Sequence, residues 1–143
     1  MKSVPKIAID TNVLVSALRS RRGQSFALLS LIGHGAFQHV VSVPLVMEHE
    51  AVLLRAGMVP LSDTAVQDVI DYLCATGLRQ DIHFLWRPQL PDLKDDMVLE
   101  AAVNGGCEAI VTRNVRDFVG TQALGVSAMT PSEFMTHLKE NPR

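Results

Sequence analysis

Several features that would indicate a compartment or a type of site are scarce in this sequence. It has only two cysteines, Cys74 and Cys107, and they form no Cys-x-x-Cys pair. We expect both to be free, reduced and buried, because two distant cysteines build neither a disulfide framework nor a zinc site. The first residues, MKSVPKIAID, lack the apolar core of a secretory signal. No apolar run approaches the roughly 20 residues of a membrane span, so the sequence predicts a cytoplasmic protein with no membrane segment.

An excess of positive charge is also absent. Thirteen basic and fifteen acidic residues give a net charge of −2. Proteins that bind nucleic acid through general electrostatics are usually basic, so the overall charge leans against such a partner, although a local basic rim would fit within it. With 48% apolar and 20% charged residues, the composition is typical of a globular protein that can bury a core without disulfides. We predict one domain spanning residues 1–143.

Strand-like and helix-like segments alternate along the chain. Short apolar and β-branched runs predict strands at 6–10, 37–41, 108–112 and 126–129. Apolar periodicity and helix-start residues predict helices at 11–19, 24–34, 42–57 and 62–77, from Asp92 or Asp95 to Gly105, and after the capping box Thr130–Glu133. Residues 79–91 are loop-like, with one short candidate strand at 82–85. The alternation indicates βαβ units and a mainly parallel sheet covered on both faces.

Polar side chains follow two of the predicted strands. Residues 10–12 (Asp-Thr-Asn) follow the first strand, and residues 112–114 (Thr-Arg-Asn) follow a later one, with Asp117 three residues further on. Ligands of open parallel sheets bind beyond the carboxyl ends of the strands, so neighbouring strands would place these groups on one rim. Asp96 falls in the first turn of the preceding helix, and Glu48 lies one turn into the helix that begins near Pro44.

Carboxylates gathered on one rim predict a cation site. Two unit charges about 4 Å apart repel by roughly 4 kcal/mol at an effective dielectric constant of 20. A hard divalent ion such as Mg²⁺ or Mn²⁺ removes that repulsion, prefers oxygen ligands and needs only one or two carboxylates directly. Such an ion also activates water and neutralises a phosphodiester. Spacing alone is a weak signal, because some of fifteen acidic residues fall near strand ends by chance.

The ordered set of motifs is more specific than any one of them. The segments are IAIDTNVLVSAL at 7–18, VSVPLVMEHEAVLLR at 41–55 and PDLKDDMVLEAAVNGGCEAIVTRNVRDF at 91–118. Together they resemble the motifs of PIN-domain nucleases, and particularly of the VapC-like toxins of type II toxin–antitoxin systems. The resemblance extends from Ile7 to about Phe134. It implies a three-layer α/β/α fold of the PIN type.

The resemblance also implies a set of site residues. Four acidic residues would form the catalytic cluster: Asp10, Glu48, Asp96 and Asp117. Three of them, Asp10, Asp96 and Asp117, would bind Mg²⁺ or Mn²⁺. Hydrogen bonds from Thr11 or Asn12 and from Thr112 would support the cluster. Many family members have Thr-x-Asp after the last of these strands, whereas this chain has Asn114, so either Asn114 or Asp117 completes the site.

Simpler roles compete for each acidic residue. Asp10 could cap a helix, and Asp96 could complement a helix dipole. Asp95 and Asp92 are the rivals of Asp96, and the spacing of Asp96 from Thr112 favours Asp96. Glu48 competes with Glu50, and we prefer Glu48 because it flanks a predicted apolar stripe on its helix. That stripe consists of Met47, Ala51 and Leu54.

The histidines, arginines and aromatic residues each have an ordinary structural role as an alternative to a functional one. The five histidines (34, 39, 49, 83 and 137) are expected at the surface or as hydrogen-bonded core residues, and Leu53 rules out an H-E-x-x-H zinc motif. The arginines at 19, 21, 22, 113 and 116 belong to solvated loops or to a rim that contacts phosphates. Phe84 and Trp86 could stack on bases or pack in a core or interface.

The leading hypothesis is therefore a Mg²⁺- or Mn²⁺-dependent endoribonuclease, the toxin of a toxin–antitoxin pair, with RNA as substrate. The resemblance implies an antitoxin partner and a homodimer. The alternative is a catalytically weak or inactive PIN-fold protein that acts through protein or RNA contacts, which Asn114 motivates. A flavodoxin-like phosphatase or nucleotide binder is disfavoured, because no glycine-rich loop follows the first strand.

Overall fold

The computed structural model describes residues 4–82 and 93–142. Within these ranges the strands are β1 (Lys6–Ile9), β2 (Gln38–Val41), β3 (Leu78–Arg79), β4 (Ala109–Val111) and β5 (Ser127–Met129). The helices are α1 (Thr11–Arg19), α2 (Gln24–Leu31), α3 (Val43–Leu53), α4 (Asp63–Thr76), α5 (Leu93–Asn104) and α6 (Pro131–Glu140). Single 3₁₀ turns at Val115–Phe118 and Thr121–Leu124 connect β4 to β5.

The five strands form one parallel sheet in the order β3-β2-β1-β4-β5. Strand β1 lies at the centre, and its last residue, Ile9, is in register with Val111 of β4. The Asp10 N–H continues this pairing by donating to the Val111 carbonyl at 2.9 Å. The carboxyl ends of β1 and β4 are therefore neighbours, as the strand-end argument required.

Apolar residues of the central strands alternate between two cores. Ile7 and Ile9 of β1 face a core that includes Val13, Leu28 and Phe134 from the helices. Ala8 of β1 faces the opposite core, whose members include Leu45, Leu99, Ile110 and Phe118. A parallel sheet buried on both faces is what the apolar strands require, so the predicted three-layer α/β/α architecture is confirmed.

Most predicted elements are present, with shifted ends. Helix α2 ends at Leu31, and Gly33 follows with a φ of 84°, a conformation that favours glycine. Helix α3 ends at Leu53 and not near Gly57. The two-residue edge strand β3 was not predicted, because Leu78 and Arg79 are both exposed and carry no apolar alternation. The candidate strand at 82–85 falls, from residue 83 onwards, outside the described residues, as do Phe84 and Trp86.

Two smaller predictions have different outcomes. The capping box is confirmed, because the Thr130 side chain accepts from the Glu133 N–H while the Glu133 carboxylate accepts from the Thr130 N–H. Cys74 was expected to be buried, and this is wrong: it lies on an exposed position of α4, whereas Cys107 is buried. Neither cysteine forms a disulfide. Among the described helices, none is both long and apolar enough to cross a membrane.

Two histidines lie inside the fold and are hydrogen-bonded, as expected of core histidines. His39 in β2 pairs with the Thr76 hydroxyl at 3.1 Å, and His49 in α3 pairs with the Thr11 hydroxyl at 2.7 Å. Burial lowers the pKa of His39 to about 4 and that of His49 to about 3. Both imidazoles are therefore neutral in the folded protein near neutral pH.

These histidines predict an acid-sensitive fold. The unfolded chain titrates its histidines near pH 6.5, so it binds more protons than the folded chain between about pH 6.5 and the lowered pKa values. Within this range, each histidine lowers the free energy of unfolding by up to about 1.4 kcal/mol for every pH unit that the pH falls. Urea unfolding at pH 7, 6 and 5 should show this loss, and His39→Gln should reduce its slope by about half. An unchanged slope in the variant would contradict the assignment.

Candidate metal and phosphodiester site

Asp10 lies at the junction of the two central strands. It follows β1 directly and is only 9% exposed. The Thr112 hydroxyl, which follows β4, donates to Asp10 Oδ2 at 2.8 Å. Burial raises the pKa of Asp10, and the charges of Asp117 and Glu48 raise it further, while the Thr112 hydrogen bond and the Thr11 backbone N–H act in the opposite direction. The fold thus holds a carboxylate where its charge is disfavoured.

Thr112 links this carboxylate to the neighbouring loop. Its Oγ1 accepts from the Asn114 N–H at 3.1 Å and from Asn12 Nδ2 at 3.4 Å. Asn12 Oδ1 in turn accepts from the Arg113 N–H at 3.1 Å. The predicted supporting residues Asn12 and Thr112 therefore form one hydrogen-bond network with Asp10, whereas the Thr11 hydroxyl pairs with His49. In this network Asn114 contributes its backbone N–H.

Helix α3 brings Glu48 to the same rim, although the helix buries a different stripe of residues from the predicted one. The buried residues of α3 are Leu45, His49 and Leu53, one helical turn apart. Met47 is 65% exposed, so the predicted stripe of Met47, Ala51 and Leu54 is wrong. The signal was missed because a buried histidine occupies the middle of the true stripe. Glu48 lies beside this stripe with its side chain 15% exposed, and its Oε1 is 4.0 Å from Lys94 Nζ.

The start of α5 contributes both of the competing aspartates. Asp95 is partly buried and lines the cleft described below, together with Lys94. Asp96 is fully buried in the same first turn. Asp92 lies outside the described residues. Asp95 therefore reaches the cleft, whereas Asp96 is fully buried and is not among the described residues that line it. Lys94, which directly precedes the two aspartates, is a cleft residue that was not predicted from the sequence.

These groups surround one open cleft of about 620 Å³. Among the residues that the structure describes, the acidic ones that line it are Asp10, Glu48, Asp95 and Asp117. The described basic residues that line it are Arg19, Lys94 and Arg113. Asn114 and Asp117 both reach the cleft, so the loop after β4 supplies an amide and a carboxylate to the same space. Val15, Val52 and Met58 form its apolar wall.

The position of Arg113 is fixed by α1. Its guanidinium Nη1 donates to the Ser16 hydroxyl, one helical turn beyond Asn12. Arg19, on the next turn of α1, donates through Nε to the Met58 carbonyl at 2.7 Å. Two of the predicted rim arginines are thus held in place beside the acidic residues. A negatively charged strand could approach this cleft in spite of the net charge of −2.

The sequence identifies the family to which this geometry corresponds. A family model for the PIN domain matches residues 6–116. The chain belongs to the PIN-domain family. The match ends one residue before Asp117, so the place of Asp117 in the site depends on the geometry. The expected resemblance is confirmed, and the flavodoxin-like alternative is set aside. A search of curated proteins returns no match.

Solved structures share the fold of this PIN domain. The crystal structure of VapBC2 from Rickettsia felis bound to a DNA fragment from their promoter aligns with 87% of this chain and 98% of its own, with a TM-score of 0.61 and 13% identity. The structure of FitAB bound to an IR36 DNA fragment aligns with 87% of this chain and 94% of its own, with a TM-score of 0.58 and 19% identity. Identities this low show similarity of fold alone.

The donor chemistry of this PIN domain suits a hard divalent ion. Within residues 4–82 and 93–142, no three carboxylate, imidazole or thiol groups converge closely enough to bind one ion together. Mg²⁺ does not require three, because it keeps several waters and uses one or two carboxylates. Asp10 is buried beside two other carboxylates that raise its pKa. A cation at this position would offset both the desolvation of the Asp10 charge and its repulsion from the other two carboxylates. The residues present therefore fit such an ion.

The strained charge of Asp10 predicts an unusual stability effect. The folded state disfavours the ionised carboxylate, so Asp10→Asn should stabilise the metal-free protein at pH 7, whereas most buried substitutions destabilise. We expect the melting temperature in EDTA to rise by about 3 °C or more, since this corresponds to roughly 1 kcal/mol for a domain of this size.

Asp63→Asn is the matched control, because Asp63 is exposed in the first turn of α4. It should leave the melting temperature unchanged or lower it slightly, since it removes a favourable charge from a helix N-terminus. A fall in melting temperature for Asp10→Asn, measured by scanning calorimetry, would show that the ionised carboxylate stabilises the fold.

Proposed function

We propose that this PIN domain, taken as a single domain over residues 1–143, is a Mg²⁺- or Mn²⁺-dependent endoribonuclease that acts in the cytoplasm. One observation carries the proposal. A buried carboxylate, Asp10, is electrostatically coupled to Asp117 and Glu48 at the floor of an open cleft that basic side chains also line. PIN domains are generally nucleases that use divalent metals, and this arrangement offers both the cation site and the phosphate-binding surface of such an enzyme.

The acidic residues divide into two groups in this proposal. Asp10, Asp96 and Asp117 would hold the ion, no more than two of them directly and the other through water, since no three such groups converge among the described residues. When bound, the ion would supply charge neutralisation for the phosphodiester and a lowered pKa of water. Glu48 would act through water. The hydrogen bond from Thr112 to Oδ2 would fix the orientation of the Asp10 carboxylate at this site. Asn114 is the alternative to Asp117 as the last contributor.

The remaining cleft residues have roles in substrate binding and proton transfer. Arg19, Lys94 and Arg113 line the cleft and can contact phosphate oxygens without reading sequence. Glu48 is a partly buried carboxylate that reaches the cleft, so it can accept a proton from an attacking water. Attack of water on phosphorus with loss of the 3′ oxygen leaves 5′-phosphate and 3′-hydroxyl ends.

The biological setting follows from the family and its structural relatives. The similar structures contain VapBC2 and FitAB assemblies bound to DNA. We infer that this chain is likewise the toxin of a toxin–antitoxin pair, that an antitoxin protein is its partner and that it forms a homodimer. RNA is the substrate in this proposal, as the resemblance to VapC-like toxins implies.

The second candidate function is a PIN-fold protein with weak or no catalysis that acts by binding protein or RNA. Two observations favour it. Position 114 is asparagine where a carboxylate is common in the family, and no three ligand groups converge among the described residues. This candidate predicts RNA binding without cleavage, so an activity assay separates the two.

The deciding experiment is cleavage of a single-stranded RNA with Mg²⁺ or Mn²⁺ and with EDTA. We expect EDTA to abolish cleavage and Asp10→Asn to reduce the rate at least about 100-fold, the range for loss of a catalytic group. Asp63→Asn, which changes the same residue type far from the cleft, should retain full activity. Equal rates for wild type and Asp10→Asn, with and without EDTA, would refute the nuclease.

The same assay decides between the aspartates of α5. Asp96→Asn should lower the rate at least about 10-fold, as expected for a residue that holds or orients a metal, and Asp95→Asn should lower it less. Circular dichroism must first show that both variants are folded, because Asp96 is fully buried. A larger loss for Asp95→Asn than for Asp96→Asn would assign the ligand role to the residue on the cleft surface.

A further inference from the structure

A second cavity lies next to the acidic cleft and shares one arginine with it. Its volume is about 220 Å³, and since a water takes up roughly 30 Å³ of liquid, a phosphate group with its waters fits inside. The residues that line it are Gln24, Ser25, Arg113, Thr130, Pro131 and Ser132. Arg113 also lines the acidic cleft, so the two spaces are adjacent on one surface.

The first turns of two helices meet at this cavity. Gln24 and Ser25 begin α2, and Pro131 and Ser132 begin α6. Helix α2 has no side-chain cap, since its N-cap residue is Gly23. The first N–H groups of a helix need acceptors and carry a partial positive charge. An anion in the cavity would supply the acceptor that the fold does not provide at α2.

Ser25 is an independent sign of a missing ligand. It is only 3% exposed and lines the cavity. Within the described chain its hydroxyl makes no hydrogen bond, whereas the nearby Ser30 hydroxyl donates to a carbonyl of its own helix. The residue as a whole is nearly inaccessible, and its unpaired hydroxyl opens onto the cavity. The Ser25 hydroxyl is therefore available to donate to a polar ligand there.

The charges around the cavity favour an anion. Arg113 contributes a guanidinium held by Ser16, and Arg21 and Arg22 are exposed just before the start of α2. Glu133 lies in the first turn of α6 beside the lining residue Ser132, and its Oε1 accepts from the Thr130 N–H. Glu133 is not among the described lining residues, which include Arg113 and no acidic side chain.

We propose that this second cavity binds a backbone phosphate of the RNA strand, next to the phosphate held in the acidic cleft. The inference rests on the proposed nuclease function and deepens it, because it adds a substrate subsite and a path for the strand across the surface. Arg113 would contact both phosphates. The strand would run from the cleft past the Arg19–Arg22 loop to the first turns of α2 and α6.

Ser132→Glu is the test variant, because Ser132 is exposed and a glutamate in a first helical turn does not destabilise the helix. Ser132→Gln controls for side-chain size. Gln122→Glu controls for net charge, since Gln122 is exposed on a turn and does not line the cavity. Binding of a labelled single-stranded RNA of roughly 12 nucleotides is followed by fluorescence anisotropy in EDTA, so that cleavage plays no part.

The expected result is local and electrostatic. Ser132→Glu should raise the Kd at least about fivefold at low salt, where repulsion between the added carboxylate and a phosphate is least screened. It should also reduce the slope of log affinity against log salt by about 0.7, the value for one lost phosphate contact on a single strand. Both controls should bind as the wild type does. Inorganic phosphate should shift the amide resonances of Ser25 and Ser132 in the wild type.

The outcomes separate this subsite from the nuclease itself. Wild-type cleavage of RNA together with unchanged binding by Ser132→Glu would overturn the subsite and leave the nuclease standing. Weakened binding by Ser132→Glu in a protein that cleaves nothing would support the subsite and refute the nuclease. Displacement of the RNA by polyglutamate at equal charge would assign the cavity to an acidic polypeptide and overturn the proposal.

Discussion

The hydrogen bond from Thr112 to Asp10 joins the fold to its chemistry. Each residue follows a central strand, and the pairing of β1 with β4 places them side by side. The bond holds a carboxylate in a buried position where Asp117 and Glu48 further disfavour its charge. Helices α1 and α3, linked by the Thr11–His49 hydrogen bond, bring Arg19 and Glu48 to the same cleft. The other cleft residues are grouped around this one buried carboxylate, whose charge is disfavoured.

The apolar strands and their polar ends were predictable because both follow from local chemistry. Residues such as Ile7–Ile9 must be buried on two faces, and Asp10 and Thr112 follow directly from strand pairing. The face that α3 buries was not predictable by apolar periodicity, because His49 is buried through a hydrogen bond that only tertiary contact reveals. Asp95 and Asp96 show a similar limit. Adjacent residues on a helix differ in direction by about 100°, and the sequence does not say which direction faces the cleft.

Charge in this protein is arranged locally. The net charge of −2 gives no indication of a polyanionic partner, yet Arg19 and Arg113 are fixed beside the acidic residues by hydrogen bonds to Met58 and Ser16. Acidic groups at the floor suit a cation, and basic groups at the rim suit phosphates. Burial raises the pKa of Asp10, and the charges of Asp117 and Glu48 raise it further. The proposed binding of a cation and a phosphodiester at one site requires this arrangement of acidic and basic groups.

The central claim is that the buried charge of Asp10 exists to bind a divalent ion. Isothermal titration of Mn²⁺ into the wild-type protein and into Asp10→Asn at pH 7 tests it most directly. The account predicts saturable binding by the wild type and a loss of affinity of at least about 10-fold, or roughly 1.4 kcal/mol, in the variant. Equal affinity in the two proteins would contradict the claim, because the ion would then bind elsewhere.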